Sequence, residues 1–329
     1  MRIQPFIIAL ALAGCATEPE LDTDDIDTGQ IESESSVYQW AFRGYPNQMS
    51  EWQVGMTYFN GRLHMVHNGH GTPNELWRSS FDGTRWSTNV KLPSTHRSTG
   101  GPALTVHGGQ LKMIYRAAGQ NRLMMSASLD GNTYGTPVTI GSYLGTEQLV
   151  SEPSATVFGG QLYVGYCTAH ALRVDRFNGA SWSLVYKETY ASNATCEHVE
   201  LAVVPDDGAL HAVVATITDF SYGDPAYLMR DLRTFTGTSW AGSGQSLTMK
   251  TKQPISITTC NGITHMTHGG YSDGSEIWWA ERMNGAWTTD FRVPGRYSWG
   301  GAALGCFGSR AIMVYPNTSG SLEWLEFGP

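Results

Sequence analysis

After its first dozen residues, the sequence has no apolar run long enough to cross a bilayer as a helix. Charge is sparse at 15% of residues, and basic charge is the rarer kind, with 21 Lys and Arg against 29 Asp and Glu. No basic stripe exists, which speaks against nucleic acid as a partner. No stretch sustains the 3.6-residue apolar period of an amphipathic helix, so the chain reads as all-β. Five cysteines are spread thinly, without the close spacing of a zinc site. Phe158-Gly159-Gly160 joins two strand-like segments and opens no helix, so it is no phosphate loop. Neither metal nor cofactor is expected.

The N-terminus does carry a signal. Met1 and Arg2 precede the apolar segment Phe6-Ile7-Ile8-Ala9-Leu10-Ala11-Leu12, which is too short to span a membrane and is followed by small residues. This is the pattern of a secretory signal. Leu12-Ala13-Gly14-Cys15 resembles the lipobox of bacterial lipoproteins. That resemblance implies cleavage after residue 14, acylation of Cys15, and, with Ala16 rather than Asp next, an outer-membrane or cell-surface location. Residues 16–35 hold eight Asp or Glu and no Lys or Arg. Such a segment buries too little apolar surface to offset its ordering entropy, so residues 15–35 are expected to form a lipidated, acidic, disordered tether. Without the signal and tether, residues 36–329 carry 21 acidic and 20 basic side chains. The net charge of −8 therefore belongs to the tether and says little about partners.

Residues 36–329 read as repeats. Met56–Met65, Ala103–Met113, Ala155–Val164, Leu201–Ala212, Ile257–Met266 and Ala303–Met313 each read as strand, tight turn, strand. Their turn glycines, from Gly61 to Gly308, recur every 46–54 residues. A second hairpin follows the first five, with turns at Asp82-Gly83, Asp130-Gly131, Asn178-Gly179, Thr236-Gly237 and Asn284-Gly285. Two hairpins per period make a four-stranded propeller blade. The sixth copy stops after three strands, and Val37–Phe42 reads as a lone fourth strand. The expectation is a six-bladed β-propeller whose last blade is completed by the N-terminal strand, leaving no free edge.

Ser80–Trp86 (Ser-x-Asp-Gly-x-x-Trp) and the looser Ser128–Tyr134 resemble the Asp-box of sialidase-type and related lectin-like propellers, one residue shorter than usual. The resemblance covers about residues 36–329. It implies that the Asp-Gly turns lie on the face opposite any ligand site, with Trp86, Trp182, Trp240 and Trp287 packed between blades. It does not select a function, because enzymes and binding proteins share the fold. Sialidases hold the substrate carboxylate with three arginines and use a Tyr/Glu nucleophile pair with an Asp acid/base. Here Arg43, Arg97, Arg116 and Arg296 offer candidates that no motif selects, and Phe291-Arg292-Val293-Pro294 lies at the wrong end for the family's N-terminal motif.

Four cysteines remain to pair in an oxidising compartment. Repeat register favours Cys167 with Cys196 and Cys260 with Cys306 among the three possible connectivities. His64, His67 and His70, like His265 and His268, are spaced by three, which on a strand alternates faces and does not suit one metal.

Function in propellers sits on the face of the interblade loops and the loops between second and third strands. Aromatics beside carboxylates and arginines gather there, as suits sugar rings and hydroxyls. The candidate ligand residues are Arg43, Glu51, Arg97, Arg116, Glu152, His170, Glu197, Tyr222, Asp224, Tyr271, Arg296 and Trp299. Glu51, Glu152 and Glu197 each precede an innermost strand and should ring the channel mouth. His67, Tyr115, Tyr166, His268 and Tyr315 recur at the end of the second strand, which favours a packing role. Positions that vary at matched places mark a site instead, and Arg116, His170, Tyr222, Asp224 and Trp299 are the better bets by that test. The reading is a monomeric propeller, membrane-associated through its lipid only, that binds glycan or another extracellular ligand without catalysis. The alternatives are a sialidase-like glycoside hydrolase and a protein-binding scaffold of an envelope assembly.

Overall fold

The hairpin turns set the repeat. Asn60-Gly61, Gly108-Gly109, Gly159-Gly160, Asn261-Gly262 and Asn284-Gly285 all have both central residues at positive φ, between 49° and 80°. That backbone twist matches the twist of paired strands, and Asn and Gly adopt it at least cost. A computed structural model describes residues 39–328, apart from 73, 142–146, 192–193, 218–226, 233–234, 237–238, 242–243 and 271–274. Residues 1–38, on which the expected signal, the lipidation of Cys15 and the tether fall, lie outside the described residues.

Six antiparallel sheets form six propeller blades, with no helix among the described residues. Their inner strands are Gly55–Phe59, Ala103–His107, Ser154–Phe158, Thr195–Val204, Ser256–Cys260 and Ala303–Phe307. Blades one to four each have four strands in chain order. In blade five the third strand, Glu276–Met283, pairs with both Ala286–Trp287 and Phe291–Tyr297, so the outer strand is split in two. Blade six is completed by Gln39–Gly44, antiparallel to Leu322–Gly328. The sequence-expected closure is therefore present, with the described strand running to Gly44.

The core is divided among the seams between blades. Each of six clusters draws its side chains from two neighbouring blades; Leu63, Met65 and Phe81 of blade one, for example, pack on Ile312, Val314 and Trp324 of blade six. The turn tryptophans belong here. Trp86 packs on Phe81 with ring centroids 5.3 Å apart, Trp182 on Phe177 at 5.1 Å, and Trp240 on Phe235 at 4.6 Å. Trp287 donates to Asp231 Oδ2 at 3.0 Å.

The Asp-box-like turns are built by their side chains. Asp82 Oδ1 accepts the N–H groups of Thr84 and Arg85, each at 2.9 Å. Asp130 and Asn178 do the same in blades two and three. The Thr84 hydroxyl, which donates to Asp82 Oδ1 at 2.7 Å, and these N–H bonds favour the ionised carboxylate and hold Asp82 well below the usual carboxylate range, as the N–H bonds do Asp130. Such turns join third to fourth strands, so they lie at the opposite end of the blades from the interblade loops. Both expected disulfides are present, Cys167–Cys196 with Cα atoms 5.3 Å apart and Cys260–Cys306 with 5.4 Å. Each links neighbouring blades.

Candidate functional site

The inner strands surround a central cavity of about 360 Å³, lined from Gln53, Pro102 and Pro153 at one end to Tyr58, Val157 and Cys306 at the other. Among the described residues its wall holds one carboxylate, Glu200, and neither arginine nor lysine. Glu200 follows from the repeat. Ser154 Oγ accepts the Leu201 N–H and Ser256 Oγ accepts the Leu304 N–H, both at 2.9 Å, tying blade three to four and five to six. Glu200 takes the matching place between blades four and five, where its carboxyl accepts the Ile257 N–H.

Burial pushes the Glu200 carboxyl up to about 8. Unfolded, it titrates near 4.5. Between those values the folded state holds the extra proton, so stability falls as pH rises through that window. Glu200→Gln stays neutral throughout and removes this slope. Its melting temperature should gain steadily on the parent protein's between pH 5 and 8, and parallel melting curves would contradict the assignment.

At the mouth, each interblade segment folds back before entering its inner strand. A hydroxyl makes that turn in five blades: Ser50 donates to the Trp52 carbonyl, Ser98 to Gly100, Ser151 to Glu152, Thr251 to Gln253 and Ser298 to Gly301, over 2.8–3.2 Å. In blade four the Cys167–Cys196 disulfide ties the segment instead. The segments press closely together. A Cβ on Gly300 would lie 3.0 Å from the Glu51 carbonyl oxygen and from the Trp52 carbonyl carbon. Trp52 and Trp299 therefore stand on touching segments, and they are 42% and 66% exposed. The chain's nine other tryptophans are buried or half-buried.

Of the three expected glutamates, Glu51 and Glu152 lie on these segments, whereas Glu197 does not precede its inner strand but sits inside it, because pairing in blade four already begins at Thr195. Glu51 Oε1 accepts the Gly71 N–H at 3.1 Å. Glu197 accepts the Thr195 hydroxyl at 2.7 Å, within a bulge between Cys196 and His198. Glu152 packs against Gly100, where an added Cβ would sit 3.1 Å from Oε1, and lies 3.9 Å from His198 Nδ1. Burial raises the Glu152 carboxyl and lowers His198 to about 4. His198 is therefore neutral near pH 7, and the two do not form an ion pair.

The candidate arginines are distributed over different seams. Arg43 lies on the outermost strand of blade six, its Nε 3.4 Å from Glu326. Arg296 donates to Glu323 at 3.0 Å and stacks over Phe42 at 4.3 Å. Arg116 donates to the Val150 carbonyl at 3.3 Å, near Glu152. Arg97 is exposed, with its backbone paired to Glu75. His170 is exposed in the turn between the second and third strands of blade three, and its carbonyl accepts the Tyr190 N–H at 2.8 Å. Tyr222, Asp224 and Tyr271 lie outside the described residues. The recurrent His67, Tyr115, Tyr166, His268 and Tyr315 are all buried, in keeping with a packing role. Glu200 escaped sequence reasoning, although it stands out against Gly55, Ala103, Ser154, Ser256 and Ala303 at the matching place.

No protein-family model and no curated protein sequence matches the chain. Solved structures do. A Hadza microbial sialidase is 16% identical with a TM-score of 0.63, over 85% of this chain and 66% of that one. A protein of unknown function from Dyadobacter fermentans is 12% identical with a TM-score of 0.65, over 88% of this chain and 97% of its own. Trypanosoma rangeli sialidase, solved with sialic acid, is 10% identical with a TM-score of 0.60, over 88% of this chain and 58% of the enzyme. At these identities the likeness is one of fold: the chain is a sialidase-like six-bladed propeller, shorter than either sialidase.

Proposed function

We propose that this chain is an exported, lipid-anchored propeller that binds carbohydrate at the mouth of its channel and does not cleave it. Its place would be the outer membrane or cell surface, held through Cys15. One observation carries the reading: the two most exposed tryptophans, Trp52 and Trp299, stand on touching segments at the mouth, while the turn tryptophans are packed between blades. An exposed indole costs solvation and needs a reason, and a sugar's C–H face supplies one. Glu51 and Gln53 beside Trp52 offer hydroxyl partners.

A sialidase-type hydrolase would need three arginines converging on one carboxylate. No arginine lines the cavity among the described residues, and Arg43 and Arg296 are engaged by Glu326 and Glu323. These placements favour binding over hydrolysis. The scaffold reading has no comparable feature behind it.

Trp299→Ala and Trp52→Ala should each weaken glycan binding about tenfold, with little change in melting temperature because both side chains are exposed. Titration calorimetry of residues 36–329 with the best glycan from an array reads the effect. Unchanged affinity in both variants would remove the mouth as the site.

A further inference from the structure

Exposed rings are unevenly spread over this molecule. Seven aromatic side chains are exposed among the described residues, and five of them lie on two neighbouring stretches of chain. Phe42, Tyr45 and Trp52 line the way from the outermost strand of blade six to the inner strand of blade one. Tyr297 and Trp299 line the way from the outer strand of blade five to the inner strand of blade six. A ring left in water adds little to the core, so this concentration marks a surface with a partner.

The two stretches touch at both ends. At the rim of blade six the Arg296 guanidinium lies over the Phe42 ring at 4.3 Å, and Phe42 meets Tyr45 edge-on at 5.3 Å. At the mouth Gly300 presses on Glu51 and Trp52. The loop between the second and third strands of blade six stands between them. Its Gly320 carbonyl accepts the Ser50 N–H at 2.8 Å, and a Cβ on Gly300 would meet Pro316 at 2.9 Å. Thr318 and Ser319 are exposed on that loop. Tyr45 follows the outermost strand of blade six and Trp299 precedes its inner strand, and those strands are three spacings, about 14 Å, apart. The rim and the mouth are thus separate aromatic platforms with hydroxyls between them.

We infer that the mouth is the inner end of a longer track, which runs outward over blade six to Tyr45 and Tyr297, and that its ligand is a linear chain of several sugar rings. This track presupposes carbohydrate binding at the mouth and names the ligand class. A chain presents a C–H face at each ring, so it stacks on both platforms at once. Thr318 and Ser319 meet its hydroxyls in between. Once one end is held, the other binds at high effective concentration, and affinity grows with chain length. A protein partner calls instead for one contiguous, desolvated apolar patch, and here a polar loop divides the rings.

Chain length is the readout. Residues 36–329 are titrated on an array that carries, beside branched and sialylated glycans, linear β-1,4-glucan, chitin, α-1,4-glucan and β-1,4-xylan series of one to six rings. In the series that binds, affinity should rise at least about tenfold from two rings to six. The double variant Tyr45→Ala, Tyr297→Ala should lose that rise and keep the affinity for two rings. Both tyrosines are exposed, at 57% and 41%, so an unchanged melting temperature is expected. Trp299→Ala should weaken binding at every length. Equal affinity for two rings and six, or a rise that survives in the double variant, would overturn the track and leave the mouth standing. Binding of branched or sialylated glycans alone would do the same. No binding to any glycan would remove the proposed function, and the track with it.

Discussion

Residues 45–329, lacking the N-terminal strand, should fail to form a stable monomer, whereas residues 36–329 fold. Removing Gln39–Gly44 uncovers the whole edge of Leu322–Gly328, including the backbone opposite Leu325 and Phe327. An exposed apolar edge of that length pairs with other chains, so aggregation or strand exchange is the expected fate. Trp40 adds a second loss. Its ring lies 5.2 Å from Phe327, 6.3 Å from Trp279 and 6.1 Å from His265, fastening blade six to blade five. Trp40→Ala in the intact chain should cost about 3 kcal/mol, the low end for a large aromatic because this one is half-buried. Size exclusion and thermal unfolding of the shortened chain test the ring closure. A synthetic peptide of residues 36–45 added in trans should restore the monomer. A shortened chain with an unchanged melting temperature would mean that the strand only decorates the blade.

The second large effect is expected at Arg282, between blades four and five. Its side chain is 2% exposed and meets three aspartates: Asp206 at 3.1 Å, Asp207 at 2.9 Å and Asp231 at 3.4 Å. His211 joins Asp207 and Asp231 from the other side, at 2.8 and 2.9 Å, and Trp287 donates to Asp231. Removing the guanidinium takes a fixed positive charge away from three aspartates, one of which, Asp231, is fully buried. Arg282→Met should therefore lower stability by about 3–5 kcal/mol, the usual cost of breaking a buried ion pair from one side. Arg282→Lys should recover little, because one ammonium cannot reproduce the fork that reaches three carboxylates. The shift in the urea midpoint measures both. A loss below about 1 kcal/mol for Arg282→Met would show that solvent reaches the cluster and screens it.

Much of the fold was legible because a propeller writes its period into the chain. Asn-Gly and Gly-Gly turns mark the hairpins, the missing sixth outer strand pointed to its replacement at the N-terminus, and matched register paired the cysteines. Contacts that exist only once the ring has closed were not legible. Asp206 and Arg282 lie 76 residues apart, and neither belongs to a repeat motif. Arg43 was expected on the ligand face, and the closing strand carries it to the outer edge of blade six beside Glu326. Exposure could not be read from composition, since Trp299 and Trp287 differ only in which loop holds them.

The central claim, that this propeller binds carbohydrate and leaves it intact, is tested most directly by one paired experiment on residues 36–329. The protein is titrated with the glycans an array selects, and the same mixtures, together with fluorogenic sialosides and neutral glycosides, are followed for product release. Saturable binding with every glycan recovered intact is the predicted result. Turnover above the uncatalysed rate, or no binding to any glycan, would contradict it.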